Sequence, residues 1–230
     1  MSHLDFIRAS SNPIVLEISL SSLDYTKRFT NRFYSWVEDS IHEQVIVLLL
    51  DELAEINFGV FKSMSHEELK NRSNKRSSDL ENMFSRISQK YPIAIKTVRQ
   101  SDISYKDNSV YQEYLNKLLD AYNNNYDFRS SVHDQVFENL TDRSDKHGKK
   151  FVSNNMPILK DYLLFEISLF EFLYYVNDRI TEAYPGPLMR IRREIWYNGF
   201  SELRSLKRTP NDSYYTDVSC FVNGNHICIT

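Results

Sequence analysis

Two short segments that are apolar at nearly every position constrain the fold of this 230-residue chain. Residues 13–20 read PIVLEISL, and residues 45–50 read VIVLLL. Strands without alternation of apolar and polar residues are typical of parallel sheets, which helices cover on both faces. The sequence between them predicts an amphipathic helix over about residues 24–39, so the three segments form a right-handed βαβ unit. We therefore expect an α/β fold with a parallel sheet flanked by helices.

The remaining sequence predicts further helices and one more strand, and no linker divides the chain. We expect a single domain over residues 1–230, with a peripheral tail from about 205 and a hairpin turning at Asn223-Gly224. The other predicted elements are a strand at 92–98, helices at about 65–90, 108–124, 130–142 and 188–200, and polar loops at 123–127 and 142–150.

The amino-acid composition limits the cellular location and the kinds of partner that this chain can have. The formal net charge is −3, so nucleic-acid binding would require a local cationic patch. No segment has the roughly 18 consecutive apolar residues of a membrane span, and the N-terminus lacks the apolar core of a signal peptide. Only Cys220 and Cys228 occur. Because two cysteines do not make a secreted disulfide framework, the sequence favours a reducing, cytoplasmic location.

The stretch from Tyr162 to Pro185 places a carboxylate inside a strongly apolar helix. Its first half is apolar on nearly every side, which is typical of a core helix. Tyr162 and Glu166 stand four residues apart and share one helical face. A carboxylate in such a run must be paired, protonated or directed into a polar cavity. The alternative is a core helix whose Glu166 reaches solvent at a helix end.

The predicted helix at 65–90 has a cationic face. Its members are Arg72, Lys75, Arg76, Arg86 and Lys90. They project within an arc of about 100° beside an apolar flank, so they are candidates for contacting phosphates. The alternative is a solvated face, which Asp79 within the stripe favours. Arg190, Arg192 and Arg193 form a second, weaker cluster.

Several common catalytic motifs are absent from the sequence. It contains no GxGxxG after the first strand, no GxxxxGK[ST] and no GxSxG elbow. The six histidines show no metal-ligand spacing. The sequence thus predicts neither a nucleotide cofactor nor a metal, and a serine nucleophile would need a base other than a nearby histidine.

Taken in order, these features resemble the tRNA-dependent cyclodipeptide synthases over about residues 13 to 190. That family has a serine after its first strand, here Ser19 in LEISLSS. It has a Tyr-x-x-x-Glu pair, here Tyr162 and Glu166, and a second tyrosine downstream, here Tyr184. Its basic helix follows the second strand, as the cationic face does in this chain.

The details of the motifs resemble one subfamily in particular. It has proline after the second tyrosine and a variable residue three positions after the serine, which here are Pro185 and Ser22. Both residues would shape the substrate pocket. The chain departs from the family at three positions. Glu17 stands where glycine is common, Leu23 where a second serine is common, and Ser168 where proline is common.

The resemblance implies a Rossmann-like fold similar to the catalytic domain of the tyrosyl and tryptophanyl class I tRNA synthetases. It implies that two aminoacyl groups, each delivered on tRNA, are joined into a cyclic dipeptide without ATP, metal or redox cofactor. Ser19 would hold the first aminoacyl group as an ester, and a second aminoacyl group would then give a dipeptidyl enzyme. Tyr162 and Glu166 would hold the ammonium group, and Tyr184 would orient or relay protons near Ser19.

Two functions from other classes remain open on the sequence. A non-catalytic RNA-binding domain would keep the cationic face but would not need Ser19. A serine hydrolase acting on a small ester would need Ser19 but not the cationic face.

Overall fold

The protein is an α/β domain, as the sequence predicts. The computed structural model describes residues 2–20, 22, 24–42, 44–61, 64–141, 149–186, 188–204 and 215–223. The strands are β1 (Pro13–Ile18), β2 (Gln44–Leu49), β3 (Ala94–Arg99), β4 (Thr181–Tyr184) and β5 (Tyr215–Asp217). Within the described residues they form one five-stranded sheet in the order β3-β2-β1-β4-β5. Every neighbouring pair of strands is parallel.

Helices surround this sheet and connect its strands. They are α1 (His3–Ala9), α2 (Lys27–Glu38), α3 (Asp51–Phe61), α4 (His66–Ser88), α5 (Ser109–Asn124), α6 (Tyr126–Thr141), α7 (Lys149–Val176), α8 (Arg190–Arg193) and α9 (Ser219–Asn223). A π-helical turn, Glu194–Asn198, continues α8. Short 3-10 turns occur at Gln100–Asp102 and Ser201–Leu203.

The two faces of the sheet carry separate hydrophobic cores. Ile14, Leu16 and Ile18 of β1 face the core that α2 and α4 cover. Val15, between the first two, faces the core that α5, α6 and α7 cover. Because successive side chains of a strand point to opposite faces, Glu17 shares the α7 face with Val15. This alternation places a carboxyl group in an apolar layer.

Some predicted boundaries are wrong, for identifiable physical reasons. The predicted loop at 123–127 shrinks to Asn125, because its Oδ1 accepts hydrogen bonds from the main-chain N–H groups of Asp127 and Phe128 and so caps α6. Of the predicted loop at 142–150, Lys149 and Lys150 already belong to α7, and 142–148 lie outside the described residues.

The C-terminal tail also differs from the prediction. Residues 219–223 form α9, not the first arm of a hairpin, and the later residues lie outside the described ranges. The cytoplasmic location suggested by the cysteine content stays a prediction. None of the helices in the described ranges combines the length and apolar character that crossing a membrane requires.

Candidate active site

Ser19 and Tyr184 lie at the same edge of the sheet, because β1 and β4 are parallel neighbours. The two strands are paired up to Leu16 and Ala183. The next residues along them are Glu17 and Tyr184, and Ser19 follows the end of β1 directly. Ligands of open parallel sheets bind beyond the carboxyl ends of the strands. Residues far apart in sequence are thus brought to an edge where ligands commonly bind.

Tyr25, which sequence reasoning missed, supports this edge from the α2 side. Its side chain is buried, and its hydroxyl donates a 2.8 Å hydrogen bond to the main-chain carbonyl of Glu17. Burial raises the pKa of the Tyr25 phenol, and the nearby phenol of Tyr184 adds to this shift. Tyr25 is therefore a neutral hydrogen-bond donor that contacts the end of β1 and lies near Tyr184.

Glu166 and Tyr162 lie on α7, which covers the same face of the sheet as Glu17. Glu166 is half-buried in the middle of the helix, so the alternative that it reaches solvent at a helix end is wrong. Burial and Glu182 are the main causes of the raised pKa of Glu17, and the charge of Glu166 adds to the shift, so the two side chains interact electrostatically. Tyr162 is half-buried one turn earlier on the same helical face.

The loop after Ser19 is held by the predicted pocket residue Ser22. Its hydroxyl donates a 2.6 Å hydrogen bond to Oδ2 of Asp24 and accepts one from the main-chain N–H of Asp24. Its main-chain carbonyl accepts a 3.3 Å hydrogen bond from Nη2 of Arg76 on α4. Ser22 therefore fixes the turn that leads from β1 into α2.

The turn after Tyr184 is fastened to β5. Gly186, next to the half-buried Pro185, has a φ of 143°, a backbone conformation that favours glycine. Its N–H donates to Oδ1 of Asp217 at 2.9 Å, and its carbonyl accepts from the Tyr215 hydroxyl at 2.6 Å. These contacts fix the chain direction just beyond Tyr184.

A buried network of charged side chains lies directly beneath the site and was not predicted. Glu17, Glu182 and Arg192 are 4%, 2% and 1% exposed. Glu182 and Arg192 form a two-pronged ion pair, with 2.6 Å between Nη2 and Oε2. Burial alone would raise the pKa of Glu182, but the Arg192 guanidinium outweighs this and lowers that pKa. Glu182 is therefore ionised.

Glu17 is held in the opposite protonation state. Burial raises its pKa well above the usual range, and the adjacent charge and hydrogen bond of Glu182 raise it further. Glu17 is therefore a neutral acid beside an ionised one. The sequence signal for this network is a glutamate within an otherwise apolar strand.

Aromatic side chains enclose the guanidinium of Arg192. Its Cζ atom lies 4.9 Å from the ring centre of Phe170 and 5.0 Å from that of Trp196. Trp196 belongs to the π-helical turn and donates a 2.6 Å hydrogen bond to Oε1 of Glu171. The Tyr174 hydroxyl donates to Oε2 of Glu182 at 2.8 Å. The ion pair is thus held by groups from α7, α8 and the π-helical turn.

The cationic face on α4 begins next to the candidate site. Ser73 donates to the main-chain carbonyl of Asp51 at the end of β2, and Arg76 reaches the loop after Ser19. Arg72 and Lys75 are exposed, and the Arg72 guanidinium lies 4.8 Å from the ring centre of Phe58. The first half of α4 therefore presents cations at the edge where Ser19 lies.

The other end of this face borders a cleft between α2 and α4. Arg86 and Lys90 line it together with Lys27, and its volume is about 470 Å³. Asp79 also lines the cleft, so the cationic side chains there have one carboxylate beside them. At 1.5 Å per residue, the face from Arg72 to the end of α4 extends for about 24 Å.

Two of the three arginines in the second cationic cluster are engaged in ion pairs. Arg192 is buried in its ion pair, and Arg190 forms ion pairs with Glu138 and Glu194 at 3.0 and 2.9 Å. Arg193 alone of the three is exposed. The clustering in sequence was misleading, because consecutive helical residues point in different directions.

No metal centre is formed by the described side chains. Within those ranges, no group of three or more histidine, cysteine or acidic residues could hold an ion.

Comparisons with known proteins identify the fold. No protein-family model matches the sequence, and no curated protein matches it either. Among solved structures, the chain is similar to a cyclodipeptide synthase from Fluoribacter dumoffii with a TM-score of 0.68 and 16% identity, over 89% of this chain and 87% of that chain. A cyclodipeptide synthase from Bacillus thermoamylovorans gives 0.63 and 17%, over 84% of each chain.

A third structure connects the fold to tRNA synthetases. The Mycobacterium tuberculosis protein gives a TM-score of 0.64 and 13% identity, over 94% of this chain and 88% of that chain. It is described as demonstrating that cyclodipeptide synthetases are related to type I tRNA synthetases. The chain thus has a Rossmann-like α/β fold of the class I synthetase type. More narrowly, it has the fold of the cyclodipeptide synthases, as the sequence resemblance implied.

Proposed function

We propose that this protein is a cyclodipeptide synthase that uses two aminoacyl-tRNAs as substrates. The observation that supports the proposal is that Ser19 and Tyr184 follow parallel neighbouring strands at one edge of the sheet, and that α7, which covers one face of this sheet, carries Glu166. Ser19, Tyr184 and Glu166 are each only partly buried. The cationic face of α4 begins at the same edge.

The first step is transfer of an aminoacyl group to Ser19. The Ser19 oxygen attacks the carbonyl of the aminoacyl ester, the bond to the ribose oxygen breaks, and the serine proton passes to that oxygen. One ester replaces another, so the exchange is nearly thermoneutral and needs no ATP. Glu166 and Tyr162 hold the ammonium group, since pairing with a cation offsets the desolvation of a half-buried carboxylate.

The second and third steps form the two peptide bonds. The amine of the serine-bound group, after losing a proton, attacks the ester of a second aminoacyl-tRNA and releases that tRNA, which gives a dipeptidyl ester on Ser19. The free amine of the dipeptide then attacks this ester, so that the ring closes and the Ser19 hydroxyl is regenerated. Tyr184 lies at the same edge and relays the proton between the attacking amine and the serine oxygen.

The tRNA would lie along the cationic face. Arg72, Lys75 and Arg76 would contact phosphates near the acceptor end, because they lie closest to Ser19. Arg86 and Lys90 would contact phosphates farther along the stem. The reaction requires only that the aminoacylated 3′ end of the tRNA reaches Ser19 at the edge of the sheet. Contacts between the tRNA and the single helix α4 are sufficient to direct that end to the site.

Expression in a bacterium, followed by mass spectrometry of the medium for diketopiperazines, tests this function. The wild type is expected to release cyclic dipeptides, and Ser19→Ala none. A non-catalytic RNA-binding domain would release no product from either chain. A serine hydrolase would convert aminoacyl esters to free amino acids without a cyclic product.

A further inference from the structure

Glu17 is buried beneath the edge of the sheet at which Ser19 lies. Ser19 is two residues after Glu17 and directly follows β1, so if the chain stays extended for that one residue, both side chains face the same side of the sheet, about 7 Å apart along the chain. That face is covered by α7, which also presents Glu166 near Glu17. If Ser19 holds an aminoacyl group whose ammonium contacts Glu166, the amino-acid side chain therefore lies between α7 and the sheet, next to Glu17.

One oxygen of Glu17 is buried without a donor. Glu17 is 4% exposed, and its Oε1 has no hydrogen-bond partner among the residues described above. As the neutral acid beside ionised Glu182, it directs its proton towards Glu182. Oε1 is then left as an acceptor in an apolar layer, and a buried unsatisfied acceptor is destabilising.

The charges around Glu17 decide what kind of donor fits. Arg192 and Glu182 neutralise each other in their ion pair, and Glu17 is uncharged. A cationic side chain would have to displace the Glu17 proton and would also lie close to the Arg192 guanidinium, which repels it. A hydroxyl or carboxamide would satisfy Oε1 without adding charge.

We propose that Glu17 determines the first amino acid, selecting a side chain with a hydroxyl or carboxamide donor over an aliphatic or aromatic one. This assignment rests on the proposed function, since it concerns the group held on Ser19. An apolar side chain would cover Oε1 and leave it unsatisfied. Sites that hydrogen-bond a substrate group strongly reject analogues that lack it.

Loading of purified protein with a panel of labelled aminoacyl-tRNAs tests the assignment. Seryl-, asparaginyl- and glutaminyl-tRNA are expected to label Ser19 faster than leucyl-, valyl- and phenylalanyl-tRNA, by on the order of a hundredfold, the upper end of the effect of leaving one buried acceptor unsatisfied. Lysyl- and arginyl-tRNA should load slowly. Equal or faster loading of the aliphatic groups, or a preference for the cationic ones, would overturn the proposal.

Two variants of Glu17 separate selection from folding. Glu17→Gln keeps an acceptor oxygen and should keep the preference, whereas Glu17→Leu should load aliphatic groups faster than amide ones. If Glu17→Leu does not fold by thermal denaturation, Glu17→Met replaces it. A preference that survives the apolar variants would contradict the assignment.

A matched control variant shows whether any change in preference is specific to Glu17. Asp51→Asn changes another buried carboxyl group, at the end of β2, where Ser101 is its hydrogen-bond partner. It should leave the preference unchanged. No label on Ser19 from any aminoacyl-tRNA would overturn the proposed function itself, whereas a wrong preference would overturn only the role of Glu17.

Discussion

The Tyr25 hydroxyl donates a 2.8 Å hydrogen bond to the main-chain carbonyl of Glu17, two residues before Ser19. That carbonyl lies near the point where β1 ends, beyond its last pairing with β4 at Leu16. Tyr25 therefore takes the place of a strand neighbour there. The hydrogen bond connects the start of α2 to the strand that carries the candidate nucleophile.

Removing this hydroxyl should affect both stability and loading. Tyr25→Phe is expected to lower the free energy of unfolding by about 1 kcal/mol, the usual contribution of one hydrogen bond, and to slow labelling of Ser19. Tyr91→Phe is the matched control, because its hydroxyl donates to the main-chain carbonyl of Asn31 at 2.9 Å. Equal loading rates in the two variants would remove Tyr25 from the site.

Ser19→Ala should abolish covalent labelling while the protein stays folded. Ser19 follows the strand and is only partly buried, so losing its hydroxyl should change stability by less than about 0.5 kcal/mol. Labelled aminoacyl-tRNA, followed by denaturing gel electrophoresis, measures the acyl-enzyme. Ser22→Ala should retain the label, since its hydroxyl is occupied by Asp24. Label on Ser19→Ala would mean that another residue is the nucleophile.

Reversing two charges at the start of the cationic face should weaken tRNA binding. For Arg72→Glu with Arg76→Glu, we expect lower affinity, slower synthesis and a slope of log affinity against log salt reduced by about two. Lys117→Glu with Lys150→Glu makes the same charge change at exposed positions on α5 and α7. Identical affinity and salt slope in both double variants would place the tRNA elsewhere.

Tyr184→Phe should separate loading from cyclisation. The aminoacyl-enzyme should still form, but ring formation should slow by on the order of a hundredfold, as is typical when one positioned proton-transfer group is lost. The alternative is that Tyr184 only packs beside the turn at Gly186. Single-turnover measurements with labelled aminoacyl-tRNA time the two steps, and wild-type rates for both would exclude the hydroxyl from the mechanism.

The neutral state of Glu17 should make stability fall as pH rises. The usual pKa is near 4.5 and the folded-state pKa lies well above it, so the folded state binds more protons than the unfolded state across that interval. The free energy of unfolding should therefore decrease upward from pH 4.5, by at most about 1.4 kcal/mol per pH unit.

Glu17→Gln removes this titration and tests its sign. The variant should lose less stability than the wild type when denaturant unfolding is measured from about pH 5 to pH 8. The pKa of Glu182 is lowered below its usual value of 4.5, so its own contribution to the pH dependence falls below the pH range of this comparison. Parallel stability curves would show that Glu17 is ionised in the folded protein.

The elements of the fold that were predicted correctly are those whose own residues show a clear hydrophobic pattern. β1 and β2 are apolar runs, and α4 and α5 have a regular apolar face, so their burial is evident from neighbouring residues. β4 was missed because it is four residues long and contains Glu182. A buried glutamate becomes acceptable only through its ion pair with Arg192, a contact that local patterns do not reveal.

The residues of the candidate site also fall into those that the sequence indicates and those that only the structure reveals. Tyr162 and Glu166 are evident from a carboxylate within an apolar helix, whereas Ser19 and Tyr184 were selected from the family resemblance; the roles of all four stay predictions. Their supporting groups were not selected, because Tyr25, Glu182 and Arg192 act through tertiary contacts. Arg190 and Arg192 resembled a cationic patch only until their acidic partners were known.

The position of β4 beside β1 affects how the protein is made. β1 acquires its second neighbour only when Thr181–Tyr184 has left the ribosome, after α7 has been synthesised. Until then one edge of β1 offers unpaired main-chain groups to other strands. A nascent chain that stops at the end of α7 would contain Ser19, Tyr162 and Glu166 but lack Tyr184, Glu182 and Arg192. The edge of the sheet that carries the candidate site is therefore completed only after α7 has been synthesised.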